Sequence, residues 1–132
     1  GPRDLAAGTV MLARRTGEPK TAIPMAGLGG KLNGEIETMQ RALLEAARAR
    51  REENSLRHPK SKQEFVDFLE AGGGFVYAGW CGDPAVEAEI KEATKATIRV
   101  VPDLEFRSPE PPSKCIWTGK PAVAEVVWAR SY

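Results

Sequence analysis

Two helix-start signals constrain this chain most. Ser61-Lys62-Gln63-Glu64 is a capping box, in which the serine hydroxyl and the glutamate carboxylate satisfy the first free N–H groups of a helix. Asp83-Pro84 sets an N-cap acid before a proline at the first helical position. Each falls between short runs that read as strands: an extended Ser55–His58 before Pro59, then Phe75–Trp80, Thr97–Val101 and Ala122–Ala129. Phe65, Phe68 and Leu69 give the first helix an apolar face and Gly72 stops it. The second runs to about Lys95 and buries Val86 and Ile90, and four prolines make 102–114 a loop. The order from Ser55 is β-α-β-α-β-loop-β, an α+β pattern of helices packed on a sheet. Each helix joins two strands, so the first three strands are expected to run parallel with right-handed crossovers.

The front of the chain is less regular. Residues 1–20 read as a turn, a strand and another turn, with Val10, Leu12 and the stem of Arg14 on one side. Gly8 and Gly17-Glu18-Pro19 punctuate the strand. A lone strand cannot satisfy its own backbone, and no partner hairpin is evident nearby, so its sheet is expected to continue outside this chain. From about Lys31 to Asn54, Leu32, Ile36, Met39, Leu43 and Ala47 recur at gaps of three and four, predicting an amphipathic helix. Gly27, Gly29, Gly30 and Gly34 weaken its start, whereas its Ala-, Glu- and Arg-rich second half forms helix strongly. The chain thus divides into a front remnant (1–29), a linker helix (30–54) and a C-terminal module (55–132).

With 42% hydrophobic and 28% charged residues, the chain can build a core, which argues against wholesale disorder. No apolar run approaches the roughly 20 residues that span a bilayer, and no charged-then-apolar leader opens the sequence. A cytoplasmic protein with no membrane partner is expected. Residues 1–60 hold 11 Lys/Arg against 7 Asp/Glu, and residues 61–132 hold 8 against 11. The basic front is compatible with a nucleic-acid face.

Few residues suggest chemistry. Gly27-Leu28-Gly29-Gly30-Lys31 lacks the Ser or Thr that a phosphate loop needs after its lysine, and no clear strand precedes it, so it reads as a flexible linker. His58, the only histidine, has no nucleophile or carboxylate pair near it in sequence and reads as a solvated loop residue. Arg48, Arg50, Arg51, Arg57 and Lys60 could meet phosphates, but the interleaved Glu45, Glu52 and Glu53 favour a solvated, ion-paired helix face. Cys81 precedes a turn into a helix, and Cys115 opens the knuckle Cys115-Ile116-Trp117-Thr118-Gly119-Lys120. Structural zinc takes four soft ligands, usually in closely spaced pairs, and neither cysteine has a cysteine partner nearby.

Several segments resemble the C-terminal domain of class II prolyl-tRNA synthetases of the archaeal and eukaryotic type, which is also found in some bacteria. They are FVYAGWCGDP (75–84), EAEIKEATKATIRVVP (87–102), KCIWTGKPA (114–122) and VVWARSY (126–132). Residues 1–20 resemble the closing turn and strand of that enzyme's anticodon-binding domain; REEN at 51–54 and the Gly72-Gly73-Gly74-Phe75 entry also fit, whereas residues 22–35 match poorly. The resemblance implies a two-layer fold named after the C-terminal domain of bacterial initiation factor three, with a mixed sheet whose last strand is antiparallel to the rest. Family members often bind zinc through two cysteine pairs, positions that map to Cys81, Val86, Cys115 and Thr118. Two of the four ligands are therefore replaced, and no zinc is expected. The parent enzyme joins proline to tRNA(Pro) with ATP and magnesium through a prolyl-adenylate, and is expected to be a homodimer. This chain carries none of the ATP-binding residues, so it is read as non-catalytic, structural and positional, monomeric, and partnered by the catalytic domain and tRNA. Arg3, Arg14 and Arg15 are the candidate tRNA contacts. Tyr132 corresponds to the family's C-terminal tyrosine, which points to the active site; it is either that contact or a frayed end. The alternative from another class is a free-standing RNA- or protein-binding module that keeps this fold without the ligase.

Overall fold

The computed structural model describes residues 1–131. They form two compact units, Gly1–Arg48 and the remainder from Ala49 onward. Among the described residues no helix is long and apolar enough to cross a membrane.

The first unit opens with a short helix rather than a turn: α1 spans Pro2–Ala6, with Pro2 where its missing N–H costs nothing. The strand β1 (Thr9–Leu12) is not alone. It pairs antiparallel with β2 (Thr21–Pro24) in the register Val10 with Ile23 and Leu12 with Thr21. The sequence hides β2 because only four residues form it and proline ends it, where no ladder N–H is needed. The expectation that the strand's partner lies outside the chain is therefore corrected. The long helix α2 runs from Leu28 to Glu53, starting before Lys31 and through Gly29 and Gly30. Its first turn is anchored by Gly27, whose carbonyl accepts from the Lys31 amide at 3.2 Å. Its apolar stripe is only partly used: Leu32 and Met39 are half-buried, while Ile36 is 57% exposed.

The second unit continues with β3 (Ser55–Arg57), α3 (Lys62–Glu70), β4 (Phe75–Trp80), α4 (Pro84–Thr94), β5 (Ala96–Val100) and β6 (Ala124–Arg130). The capping residues act nearly as read. The Ser61 hydroxyl accepts from the Glu64 amide at 3.1 Å, but the Glu64 carboxylate reaches past Ser61 to the Lys60 amide. The Asp83 carboxylate accepts from the Ala85 amide at 2.9 Å. The sheet order is β3-β4-β6-β5, with β3 parallel to β4 and β6 antiparallel to both β4 and β5. The first three strands thus share one direction, and the last runs against them, inserted between β4 and β5.

Alternation along β4 and β6 divides the side chains between two faces. Val76, Ala78, Val126 and Trp128 join Phe65 and Leu69 of α3 and Val86 and Ile90 of α4 in one cluster. Phe65 meets Trp128 edge-on, with ring centroids 6.0 Å apart. Burying side chains of this size stabilises by roughly 1.5–3 kcal/mol each, so this cluster carries the unit. The opposite face is closed over Tyr77, Glu125 and Val127, and the Arg57 guanidinium lies 3.8 Å from the Tyr77 ring centroid.

Candidate functional site

The knuckle at Cys115 is tied to β4 by its backbone. The Ile116 amide donates to the Gly79 carbonyl at 3.0 Å and the Val123 amide to the Trp80 carbonyl at 2.8 Å. This contact requires glycine at 79, since a Cβ there would lie 2.2 Å from the Lys114 carbonyl oxygen. The knuckle closes on itself as Cys115 N–H donates to the Lys120 carbonyl (2.8 Å) and Gly119 N–H to the Cys115 carbonyl (2.9 Å). Gly119 takes a left-handed conformation, φ 71°, to do so.

This geometry brings the Cys115 sulfur, 2% exposed, against Thr118 and Cys81. Burial pushes the Cys115 thiol up. Hydrogen bonds from the Thr118 hydroxyl, the Thr118 and Trp117 amides and the Cys81 thiol outweigh it, so the group titrates below the ordinary thiol value. Val86 is buried in the same core cluster as Cys115, and Cys81 packs against that cluster half-exposed. Val86 offers methyl groups and Thr118 a hydroxyl where a structural zinc needs thiolates or imidazoles. The residues present do not fit that ion. The neighbouring Trp117 is fixed by its N–H to Glu89 at 3.0 Å and by the Lys62 ammonium 3.2 Å from its ring centroid.

His58 is not a solvated loop residue. Its Nε2 lies 2.9 Å from Oε1 of Glu125, whose side chain is fully buried, and its backbone is left-handed at φ 53°. The second Glu125 oxygen accepts from the Ser108 amide at 2.9 Å. Burial pushes the Glu125 carboxyl up, but the Ser108 hydroxyl and amide and His58 together hold it below the usual carboxylate range. The sequence signal was a lone acid in an otherwise apolar strand; its partners lie 17 and 67 positions away.

Of the candidate tRNA contacts, Arg14 pairs with Glu35 at 2.7 Å and donates to Thr21, so its charge is partly committed within the first unit. Arg3 and Arg15 are exposed. Arg48 pairs with Glu45 on the helix face, whereas Arg51 and Arg57 converge on Glu52. The glycine segment does have a strand before it, β2, contrary to the sequence reading. Gly29 and Gly30 are helical, and Lys31 donates to the Ala26 carbonyl, so the segment cradles no anion. Tyr132 lies outside the described residues.

The fold is thus a mixed-sheet α+β module with one thiol in a knuckle and another at the end of β4. Residues 62–132 match the family described as "Prolyl-tRNA synthetase, C-terminal", and the chain belongs to it. It is 39% identical over 132 residues to a proline–tRNA ligase of Cytophaga hutchinsonii, covering all of this chain and 26% of that one. It is 38% identical to proline–tRNA ligase 2 of Anaeromyxobacter dehalogenans, covering 28% of it. Among solved structures it superimposes with a TM-score of 0.83 and 31% identity on prolyl-tRNA synthetase from Cryptosporidium parvum complexed with L-proline and AMP. All of this chain and 28% of that one are covered. The chain spans about a quarter of the length of the curated relatives it matches.

Proposed function

We propose that this chain is the non-catalytic C-terminal part of an archaeal/eukaryotic-type proline–tRNA ligase, which attaches proline to tRNA(Pro) with ATP and magnesium. The observation that carries the reading is end-to-end likeness: the whole chain aligns with proline–tRNA ligases at 36–39% identity while occupying only 26–28% of them. Within this reading, residues 1–29 close the anticodon-binding domain, 30–54 link, and 55–132 form the two-layer module like the C-terminal domain of initiation factor three. Its role is to brace and position the catalytic domain. The zinc position has lapsed, and packing of Val86 and Cys115 replaces the metal. The parent is a cytoplasmic homodimer and the isolated piece a monomer; Arg3 and Arg15 are the better front contacts for tRNA, because Arg14 is engaged with Glu35. Reading the gene upstream of Gly1 tests this. A frame continuing into a class II catalytic domain is the expected result, and a start codon directly before Gly1 would contradict it.

A further inference from the structure

The second half of the chain is acidic overall, yet four of its eight cations gather at one place. Lys91, Lys95 and Arg130 line an open cleft of about 580 Å³ with Thr97 and Ser131. Arg130 and Arg99 line a second cleft of about 510 Å³ against Gly72, Gly73 and Gly74. Phe75 and Arg99 are shared in turn with a third, of about 370 Å³, lined also by Arg51 and Phe106. The three clefts adjoin at these shared residues and together make up the groove. Among the described residues that line it, Asp103 is the only one with a side-chain carboxylate.

The cations here are held by neutral acceptors. Arg99 donates to the Ser131 hydroxyl at 2.6 Å, Arg130 to the Leu69 carbonyl at 3.1 Å and Lys95 to the Glu92 carbonyl at 3.2 Å. Among the described residues, no carboxylate forms an ion pair with these three or with Lys91. Their charge is left to act on what enters the groove. Further along, the groove turns aromatic: Phe75 and Phe106 are 39% and 41% exposed, and the Arg51 guanidinium stands 5.6 Å from the Phe106 ring centroid. Cations spaced along a groove and ending at exposed rings match a polyanion that also carries flat bases. An acidic peptide would use the charges but not the rings, and an apolar segment the rings but not the charges.

We infer that this groove binds single-stranded RNA, phosphates on Lys91, Lys95, Arg99 and Arg130, a base on Phe106 beside Arg51. The inference rests on the reading above for the presence of tRNA, and it adds to the front contacts proposed there an RNA contact at the sheet end of the second unit.

The test is fluorescence anisotropy of the 132-residue chain with a labelled oligouridylate of about ten nucleotides, over a range of salt. K91Q/K95Q is expected to lower the slope of log affinity against log salt by about 1.4, two contacts at about 0.7 each. F106S is expected to weaken binding about tenfold with little change in salt slope. Unchanged circular dichroism melting would show that both variants fold. K20Q/R41Q, at two exposed cations of the first unit, is expected to leave binding unchanged. The inference is overturned by no binding at about 50 mM salt, by loss confined to K20Q/R41Q, or by polyglutamate displacing the RNA as well as unlabelled RNA does. Inorganic polyphosphate binding as tightly as RNA, with F106S silent, would also overturn it. A failure here leaves the ligase reading standing, because that reading is decided by the upstream gene and by proline activation, and neither involves this groove.

Discussion

Replacing Glu125 by glutamine isolates the charge of the one buried acid that ties three segments together. The carboxylate accepts from the Ser108 amide and from His58 Nε2, each at 2.9 Å, with its side chain fully shielded from water. Glutamine keeps the shape and can still accept from Ser108. Hydrogen bonds to a charged group contribute about 1.5–3 kcal/mol and neutral ones about 0.5–1.5. Losing charge assistance on two bonds, less the relief of burying no charge, amounts to about 1–2 kcal/mol at neutral pH. For a unit of this size that lowers Tm by roughly 5–10 °C. The dependence on pH follows from the direction of the carboxyl shift. Its folded pKa lies below the unfolded value of about 4.3, so the ionised form contributes stability above that value. That contribution is lost as pH falls through the folded pKa, whereas glutamine has nothing to lose. Thermal melts of both proteins at pH 7 and pH 3 should therefore show the gap narrowing in acid. An E125Q protein as stable as the parent at pH 7, or a gap unchanged at pH 3, would refute the reasoning.

Other outcomes follow from the same geometry. Gly79→Ala places a methyl group 2.2 Å from the Lys114 carbonyl oxygen, so the knuckle must move; chemical denaturation should show a loss of about 3 kcal/mol or unfolding. Val86→Cys with Thr118→Cys puts a thiol at each of the four mapped positions, and metal analysis should find one equivalent of tightly held zinc and a raised Tm only in the double variant. Stoichiometric zinc in the unmodified protein would overturn the loss of that site. Arg14→Ala removes a partly exposed pair with Glu35 and should cost less than about 1 kcal/mol in urea melts.

The local grammar of the second unit was legible because its signals are local. Ser61 and Asp83 cap their helices through amides two or three residues away, and the β-branched and aromatic runs between them cannot be helix faces. The mixed sheet was reached through the family resemblance, whereas the place of β6 between β4 and β5 depends on pairing Val76 with Trp128, far apart in sequence. The same distance hid the His58–Glu125 contact, which made a tied residue look like a solvated one. In the first unit, β2 escaped because Thr21–Pro24 is too short to show alternation and ends in a residue that usually argues against strand. The thiol pair could be placed only by mapping Cys81 and Cys115 onto a family pattern. The groove was invisible because Lys91, Lys95, Arg99 and Arg130 come from α4, its C-cap, β5 and β6 and meet only when β6 inserts beside β5.

Membership of a proline–tRNA ligase is checked by proline-dependent ATP–pyrophosphate exchange, measured on the 132-residue chain and on a longer protein that continues upstream of it. Exchange is expected from the longer protein and none from the chain alone, purified free of host synthetase. Exchange by the isolated chain, or a longer protein that activates another amino acid or none, would contradict it.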